Sequence, residues 1–328
     1  MKRTLVSGIK PSGRLHIGNY FGAVKSWLEL QDSYNCIFGI YDLHALTQGP
    51  KPADLKKAVF EAALDYLAAG IDMDKSILML QSLVPEHAEL AWILDTITPI
   101  SWLERVPTFK DKSKQFADNL NMGLLNYPAL MAADILLYKA VIVPVGEDQL
   151  PHIELAREIA RAFNNKYGET FPEPMHKVNH AGARIMSLTY PERKMEKSLG
   201  EKNYIALSDS PEIIAKKLAS APTDSGKNAS ASKSPGVANL FELLDIFSKD
   251  AVIGGFEKAY RDKVISYADL KQQLATDIAA YFESFRAKRI QLAKKPDAVW
   301  KILREGSARA KKIAEKNLRE VKEKVGLL

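Results

Sequence analysis

The sequence has very little cysteine and no long hydrophobic run. Cys36 is the single cysteine among 328 residues, so the chain cannot close an internal disulfide bond. We expect its thiol to lie in the core, because unpaired cysteines are among the most buried side chains. No run approaches the roughly 18 apolar residues that a membrane span needs, and the first residues lack the apolar segment of a secretion signal. These absences predict a cytoplasmic protein that does not enter a membrane.

The composition is that of a globular protein with its positive charge at the C-terminal end. Hydrophobic residues make up 46% and charged residues 26% of the chain, which excludes collagen-like and wholly disordered proteins. Residues 284–328 contain 14 Lys and Arg against 5 Asp and Glu, a net charge of +9, whereas residues 1–283 carry −3. A basic helical segment attracts phosphate-rich partners, although a solvated helix face explains this charge equally well.

Short apolar runs alternate with segments of helical spacing in the first part of the chain. We predict strands at TLVSGI, Cys36–Tyr41, Ser76–Leu80 and Val141–Val145, and helices at Asn19–Leu30, Pro52–Ala69 and Gln149–Asn164. Strands that alternate with helices form a parallel sheet with right-handed crossovers. The pattern therefore predicts an α/β fold, a doubly wound Rossmann-like parallel sheet.

The chain changes character after this α/β region. Ala181–Asn203 is basic and loop-like, and Thr223–Gly236 is rich in small polar residues, which predicts a flexible loop. Beyond that loop apolar residues recur at helical spacing, as at Leu240, Leu243 and Leu244. We predict a Rossmann-like domain over residues 1–200 and a helical C-terminal domain over residues 201–328, which could pack back on the first.

The first candidate site lies between the first strand and the first helix, in the run Ser7–Asn19. Open α/β sheets bind nucleotides where a glycine-bearing loop leads into a helix, because the backbone N–H groups there favour phosphate. His16 and Asn19 can donate hydrogen bonds to charge that develops on an α-phosphate, and Gly18 lets a nucleotide approach the backbone. A tight turn with an incidental histidine explains the run equally well.

The second candidate site is the run Lys194–Ser198. Its two lysines, Lys194 and Lys197, can both reach the β- and γ-phosphates of a nucleotide and stabilise departing pyrophosphate. Taken alone, a solvated basic loop explains this run better.

The sequence indicates no metal site. His176 and His180 are four residues apart, but proline and glycine lie close by and no second ligand pair is present. This favours a solvated loop over zinc, and we predict no metal held by the protein itself.

Together the two runs resemble the HIGH and KMSKS signatures of the class I aminoacyl-tRNA synthetases, in the same order and about 180 residues apart. Further runs are similar to the bacterial tryptophan-specific members of this family: Gly8–Ala23, Tyr127–Tyr138, Val141–Glu154, Gly182–Leu188 and Pro235–Leu240. The resemblance covers essentially the whole chain. It implies that residues 1–200 are the catalytic domain and residues 201–328 a tRNA anticodon-binding region.

The resemblance implies a tryptophan site. Asp134 would accept a hydrogen bond from the indole N–H, a group that only donates and is costly to bury without a partner. A methionine and two valines, Met131, Val143 and Val145, would form apolar walls around the indole. Without the resemblance, such residues would more often belong to the hydrophobic core. The remaining contacts would be His44 and Gln149 at the polar end of the substrate.

The resemblance also implies an ATP site, with Mg²⁺ carried in by ATP and few protein ligands to the metal. ATP would be contacted by both signatures and by the turn after the fourth strand: Lys10, Pro11, Ser12, Gly18, Asn19, Gly146, Glu147, Asp148, Ile185, Lys194, Met195, Glu196, Lys197 and Ser198. Two of these residues depart from the family pattern. Lys10 stands where glutamine is common and can serve either anion, whereas Glu196 stands where serine is common and would weaken ATP binding if it pointed inward.

The resemblance implies the activity of a tryptophan–tRNA ligase in protein biosynthesis. The enzyme would activate L-tryptophan with ATP and load tRNA(Trp), with His16, Asn19, Lys194 and Lys197 as its catalytic residues. The basic C-terminal helices would meet the tRNA near its anticodon, and the protein would be a homodimer with its interface in residues 85–130. Two alternatives are a small-molecule nucleotidylyltransferase and a tRNA-binding or regulatory relative without turnover, which only Glu196 favours.

Overall fold

The computed structural model describes residues 2–106, 120–178, 185–224 and 233–328. The chain forms two compact units. The first consists of Met1–Gly13, Ala23–His180 and Leu292–Leu328, and the second of Arg14–Gly22 and Ala181–Gln291.

The first unit contains a parallel sheet of five strands in the described residues. The strands are β1 (Thr4–Ile9), β2 (Asn35–Ile40), β3 (Ser76–Leu80), β4 (Ile142–Val145) and β5 (Met175–Val178), in the order β3-β2-β1-β4-β5. The chain runs outward from β1 to β3 on one side and from β4 to β5 on the other, so the order reverses between β1 and β4. In sheets of this kind ligands bind at the carboxyl ends of the strands beside that reversal.

Helices connect these strands and make up most of the chain that follows them. They are α1 (Ile17–Asn19), α2 (Lys25–Leu30), α3 (Asp42–Leu46), α4 (Pro52–Ala69), α5 (Glu86–Asp95), α6 (Ile100–Arg105), α7 (Met122–Leu136), α8 (Leu150–Tyr167), α9 (Pro211–Ala219), α10 (Pro235–Phe247), α11 (Asp250–Arg261), α12 (Tyr267–Tyr281), α13 (Glu283–Ala293) and α14 (Pro296–Val325). A π-helical stretch, Tyr20–Val24, joins α1 to α2. The predicted doubly wound α/β fold with a helical C-terminal part is confirmed.

The predicted bounds agree closely where a clear stop signal is present. Helix α4 ends at Ala69 as predicted, because Gly70 adopts the left-handed conformation with φ of 115°. Strand β3 has the predicted ends, whereas β2 stops one residue before the predicted Tyr41, which begins the turn into α3. The predicted helix Asn19–Leu30 is present, but it begins at Ile17 and is not a continuous α-helix. The stretch Tyr20–Val24 within it is π-helical.

Cys36 and the histidine pair lie away from both candidate sites. Cys36 is buried, with 2% of its surface exposed, so the core thiol is confirmed. His176 lies in β5 and not in a solvated loop, so that prediction was wrong, because the strand pairs with β4 through Val143. His180, residues 181–184 of the predicted basic loop and residues 225–232 of the predicted flexible loop lie outside the described residues. The domain boundary at residue 200 stays a prediction.

Helix α14 covers the edge strand β3 within the first unit. The hydroxyl of Ser307 accepts a hydrogen bond from the Leu80 N–H at 2.9 Å, a group that an uncovered edge strand would leave to solvent. At Gly306 a Cβ atom would overlap the Leu78 carbonyl oxygen, so only glycine permits this approach. The basic C-terminal helix is therefore also a structural part of the sheet. No described helix is long and apolar enough to cross a membrane.

We predict that Gly306→Ala lowers the thermal unfolding midpoint. The new methyl group would force the helix away from the Leu78 backbone, at a cost of roughly 1–3 kcal/mol, or about 2–4 °C per kcal/mol. Gly254→Ala is the matched control, because Gly254 also lies in a helix and a Cβ there meets no atom within 4 Å. Thermal unfolding followed by circular dichroism measures both variants. Equal midpoints for the two variants would contradict the close approach at Gly306.

Candidate active site

The turn that contains His16 is held by two reciprocal hydrogen bonds. The Asn19 N–H donates to Nδ1 of His16 at 3.3 Å, and the His16 N–H donates to Oδ1 of Asn19 at 3.4 Å. This capping pair begins α1. Because Nδ1 accepts a hydrogen bond, the neutral ring carries its proton on Nε2. The turn therefore presents an N–H donor on the imidazole ring and a second donor on the Asn19 amide.

The environment of His16 keeps its ring uncharged. Burial lowers the pKa of His16 to about 3, and the nearby charges of Lys197 and Lys194 contribute to this lowering. A neutral imidazole can donate a hydrogen bond at physiological pH without the cost of burying a charge. The same effect shows that both lysines of the second signature lie close enough to His16 to act on it.

The second signature begins within a short antiparallel pairing in the second unit, in which Met186 pairs with Lys194. The Met195 N–H donates to the Ile185 carbonyl at 3.0 Å, and the Ser187 N–H donates to the Arg193 carbonyl at 2.8 Å. Met195 is buried, and a Cβ at Gly18 would lie 3.6 Å from the Cβ of Met195. The structure therefore brings the first and second signatures together within one compact unit.

Glu196 is exposed between the two lysines. Its carboxylate accepts a hydrogen bond from the Ser198 hydroxyl at 2.9 Å. The side chain is thus engaged with its own loop at the surface. In this orientation the carboxylate points outward.

Asp134 is the centre of a buried polar cluster in the first unit, with 1% of its surface exposed. Its Oδ1 accepts hydrogen bonds from Nε2 of Gln81 at 2.7 Å and from Nδ1 of His87 at 2.6 Å. Its Oδ2 accepts one hydrogen bond, from Nε2 of His44 at 2.7 Å. The other ring nitrogen of His87 contacts the Tyr138 hydroxyl at 2.8 Å, so the cluster continues inward.

This cluster keeps Asp134 ionised. Burial raises the pKa of Asp134, but His44 and His87 outweigh it, and the pKa lies below its ordinary value. A carboxylate offers about four acceptor positions, and three are taken by described residues. The position that remains is on Oδ2.

Two residues of this cluster were not predicted from the sequence. Gln81 follows β3 directly, and a polar residue at the carboxyl end of a buried parallel strand is a signal that could have revealed it. His87 lies in α5 and gave no such signal. Its role depends on the packing of α5 against α7, which no local pattern indicates.

Two of the three predicted apolar walls lie at the margin of the main core. Val143 is buried within this core, whereas Met131 and Val145 are partly exposed and pack against it. Gly146 leads into a 3-10 turn, Glu147–Gln149, in which the Gln149 side chain donates to Asp148 at 2.6 Å. These residues follow β4 at the carboxyl end of the sheet.

The other predicted ATP contacts are divided between the two units. Lys10, Pro11 and Ser12 follow β1 in the first unit, with Pro11 buried and Ser12 exposed. Ile185 is buried in the second unit, with 4% of its surface exposed. In the described residues no three His, Cys, Asp or Glu side chains gather in a geometry that could hold a metal.

One described cavity, of about 240 Å³, lies beside the buried polar cluster at Asp134 and does not include any residue of that cluster. It is lined by Leu43, Leu46, Thr47, Asn121, Gly123, Asn126, Tyr127 and Leu130. None of the predicted tryptophan contacts is among these residues.

Known proteins resemble the chain over its full length. A family model for class I tRNA synthetases (W and Y) matches residues 2–283. The tryptophan–tRNA ligase of Clostridium tetani is 43% identical over 329 residues, covering 100% of this chain and 96% of the relative. That of Wolinella succinogenes is 44% identical over 335 residues, covering 100% of both chains.

Solved structures agree. The tryptophanyl-tRNA synthetase from Campylobacter jejuni, complexed with ADP and tryptophan, has a TM-score of 0.87 and 37% identity, covering 98% of this chain and 99% of that one. The enzyme from Mycoplasma pneumoniae has a TM-score of 0.84 and 32% identity, covering 99% of this chain and 98% of that one.

We predict that the His16 ring does not titrate between about pH 8 and about pH 5. Its pKa of about 3 lies below the ordinary 6.5, so folded His16 takes up no proton in this range. As the pH falls from 6.5 towards 3, the unfolded chain binds that proton first, and His16 therefore favours unfolding in that window. NMR of histidine-labelled protein measures the ring, and His16→Asn identifies its signal. A shift with a midpoint near neutral pH would contradict the buried, neutral ring.

Proposed function

The chain belongs to the class I tRNA synthetases for tryptophan and tyrosine, and we propose that it activates its amino acid with two groups of polar residues. The cluster at Asp134 binds the amino acid, and the turn at His16 together with Lys194 and Lys197 acts on ATP. The chain is a tryptophan–tRNA ligase. L-tryptophan and ATP give tryptophanyl-AMP and pyrophosphate, and the tryptophanyl group then passes to the 3′ end of tRNA(Trp). The observation that carries the choice of amino acid is the buried, ionised Asp134 with one open acceptor position.

Asp134 selects the indole ring. The open position on Oδ2 accepts the indole N–H, while Gln81, His87 and His44 hold the carboxylate in one orientation. A phenylalanine ring offers no donor, so its binding would leave a charged acceptor without that partner, and a site built around such a bond rejects the analogue by about 10⁴-fold or more. The proposed apolar walls are Met131, Val143 and Val145, and the proposed contacts to the polar end are His44 and Gln149.

The turn at His16 and the lysine pair act on ATP. An oxygen of the tryptophan carboxylate attacks the α-phosphorus, the bond from that phosphorus to the β-phosphate oxygen breaks, and pyrophosphate leaves with the negative charge. Nε2–H of His16 and the Asn19 amide donate to the α-phosphate as charge builds up on it. Lys194 and Lys197 stabilise the pyrophosphate. Positioning and charge stabilisation are sufficient for such an in-line reaction.

The remaining ATP contacts are proposed from their positions at strand ends and in the two signatures. They are Lys10, Pro11, Ser12, Gly18, Gly146, Glu147, Asp148, Ile185, Met195, Glu196 and Ser198. Mg²⁺ would neutralise charge on the phosphates, and it can be carried by the triphosphate because it keeps most of its own water ligands.

The tRNA and a second copy of the chain are the proposed macromolecular partners. The net charge of +9 over residues 284–328 supports contact of the C-terminal helices with tRNA. Within residues 85–130, Trp92, Ile100 and Met122 are 72%, 64% and 74% exposed, which supports a homodimer interface there. Residues 107–119 of that range lie outside the described residues. A single-chain mass by sedimentation would contradict the dimer. We place the protein in the cytoplasm, where tRNA is charged.

Exchange of radioactive pyrophosphate into ATP, measured with each of the twenty amino acids, tests the function. We expect exchange with tryptophan, and at least about 10⁴-fold less with phenylalanine, because the site rejects a ring that lacks the N–H donor. Exchange with tyrosine in place of tryptophan would overturn the role of Asp134. Exchange with no amino acid would favour a relative that binds tRNA without turnover.

We predict that Lys194→Ala and Lys197→Ala each lower kcat of this exchange by about 10²–10³-fold, because each removes a cation from the departing pyrophosphate. The KM for tryptophan should change by less than about threefold, since Asp134 and its donors belong to the other unit. Lys202→Ala is the control, as Lys202 is an exposed lysine in the same segment. Equal rates for Lys197→Ala and Lys202→Ala would remove Lys197 from the mechanism.

A further inference from the structure

Tyr41 lies at the carboxyl end of β2, at the edge of the sheet where the predicted site is built. Its N–H donates to the Ile9 carbonyl at 3.2 Å, which continues the ladder between β1 and β2 by one residue. Residues two apart in a strand share a face, so Tyr41 lies on the same face as Gly39 and Ile37. Ile37 belongs to the core that also contains Ala133, the neighbour of Asp134.

The Tyr41 ring lies directly over two glycines on adjacent strands. A Cβ at Gly39 would lie 2.7 Å from Cε1 and from Cζ of the ring, and a Cβ at Gly8 would lie 2.6 Å from Cε2. Gly8 and Gly39 are paired in register between β1 and β2. The two glycines therefore form a flat floor on which the aromatic ring rests, and any larger residue at Gly39 would push the ring away from the sheet.

The His44 ring, the Asp134 carboxylate and Tyr138 of the buried polar cluster lie near Tyr41, as does Tyr66 outside that cluster. The Tyr41 ring meets the His44 ring edge-on, with 5.8 Å between the centroids. Tyr41 is partly exposed and packs against the margin of the same core as Met131 and Val145, the two predicted indole walls that are also partly exposed. Burial raises the pKa of Tyr41, and the charge of Asp134 adds to this effect, so the phenol stays neutral.

We propose that Tyr41 is a specificity-determining residue of the tryptophan site, whose ring forms a wall against which the indole packs. The inference rests on the proposed function, because it takes the ligand at Asp134 to be tryptophan. An aromatic wall beside the indole acceptor favours a flat aromatic ligand and limits its width. The glycine pair at Gly8 and Gly39 then sets how far the wall stands from the bound ring.

Substitution of Tyr41 tests the wall. Tyr41→Val should lower kcat/KM for tryptophan by about tenfold or more, because its KM for tryptophan rises. For at least one tryptophan chlorinated on the benzo ring, the ratio of its kcat/KM to that of tryptophan should rise by about tenfold. The probes are tryptophans chlorinated in turn at each carbon of that ring. Tyr41→Phe keeps the ring and should keep the selectivity of the wild type. The KM for ATP should not change in either variant.

Gly39→Ala provides a second, independent variant. Its added methyl group should displace the Tyr41 ring towards the ligand and raise the KM for tryptophan. In the double variant with Tyr41→Val there is no ring to displace, so Gly39→Ala should then have little effect on KM. The effects of the two substitutions on KM should therefore be non-additive. Phe38→Leu is the control, because Phe38 is the preceding residue in β2 but stacks on Trp27 with 5.1 Å between the centroids. Thermal unfolding of each variant identifies any loss of folded protein.

The outcomes separate this inference from the function beneath it. Suppose that the wild type supports ATP–pyrophosphate exchange in the presence of tryptophan, and that folded Tyr41→Val protein keeps the wild-type preference among all the chlorinated tryptophans. Then Tyr41 is not a wall, and only this inference fails. Relaxed selectivity in Phe38→Leu equal to that in Tyr41→Val would also overturn it. A wild type that does not activate tryptophan would instead contradict the proposed function.

Discussion

The proposed tryptophan site depends on one buried ionised group, the carboxylate of Asp134. A buried charge is tolerated only when it is paired and hydrogen-bonded, and here two histidines and an amide meet that requirement. Each donor comes from a different element: His44 from α3, Gln81 from the end of β3 and His87 from α5. The parallel sheet gives these elements a common edge. Loss of any one of them would change the charge or direction of the group that selects the substrate.

The proposed selection of the amino acid and the proposed activation of ATP depend on different parts of the chain. The donors to Asp134 belong to the first unit, whereas His16, Lys194 and Lys197 belong to the second. Their electrostatic requirements also differ. Asp134 needs partners that stabilise its charge, while His16 stays uncharged because burial and the two lysines oppose its protonation. This division explains why substitution in one cluster is expected to change kcat and in the other KM.

Much of the fold and part of the site could be predicted from the sequence. Strands β1 to β4 are largely apolar runs, and Gly70 marks the end of α4, so local signals were sufficient there, whereas β5 contains His176 and Lys177 and was not predicted. Both signatures were recognised because their residues are contiguous. His87 could not be found this way, since it meets Asp134 only through the packing of two helices. Tyr41 was taken as the end of a strand, and its position over Gly8 and Gly39 depends on the pairing of β1 with β2.

The C-terminal helix illustrates how charge alone can mislead about what a segment does. Its basic residues suggested a solvated helix or a nucleic-acid contact, yet Gly306 and Ser307 place it against the backbone of β3. The end of β3 leads directly into Gln81, which donates to Asp134. A helix with a basic outer face therefore also supports the strand that carries one of the three donors. The proposed contact with tRNA and the packing against β3 need not exclude one another, because the residues that touch β3, Gly306 and Ser307, are not basic.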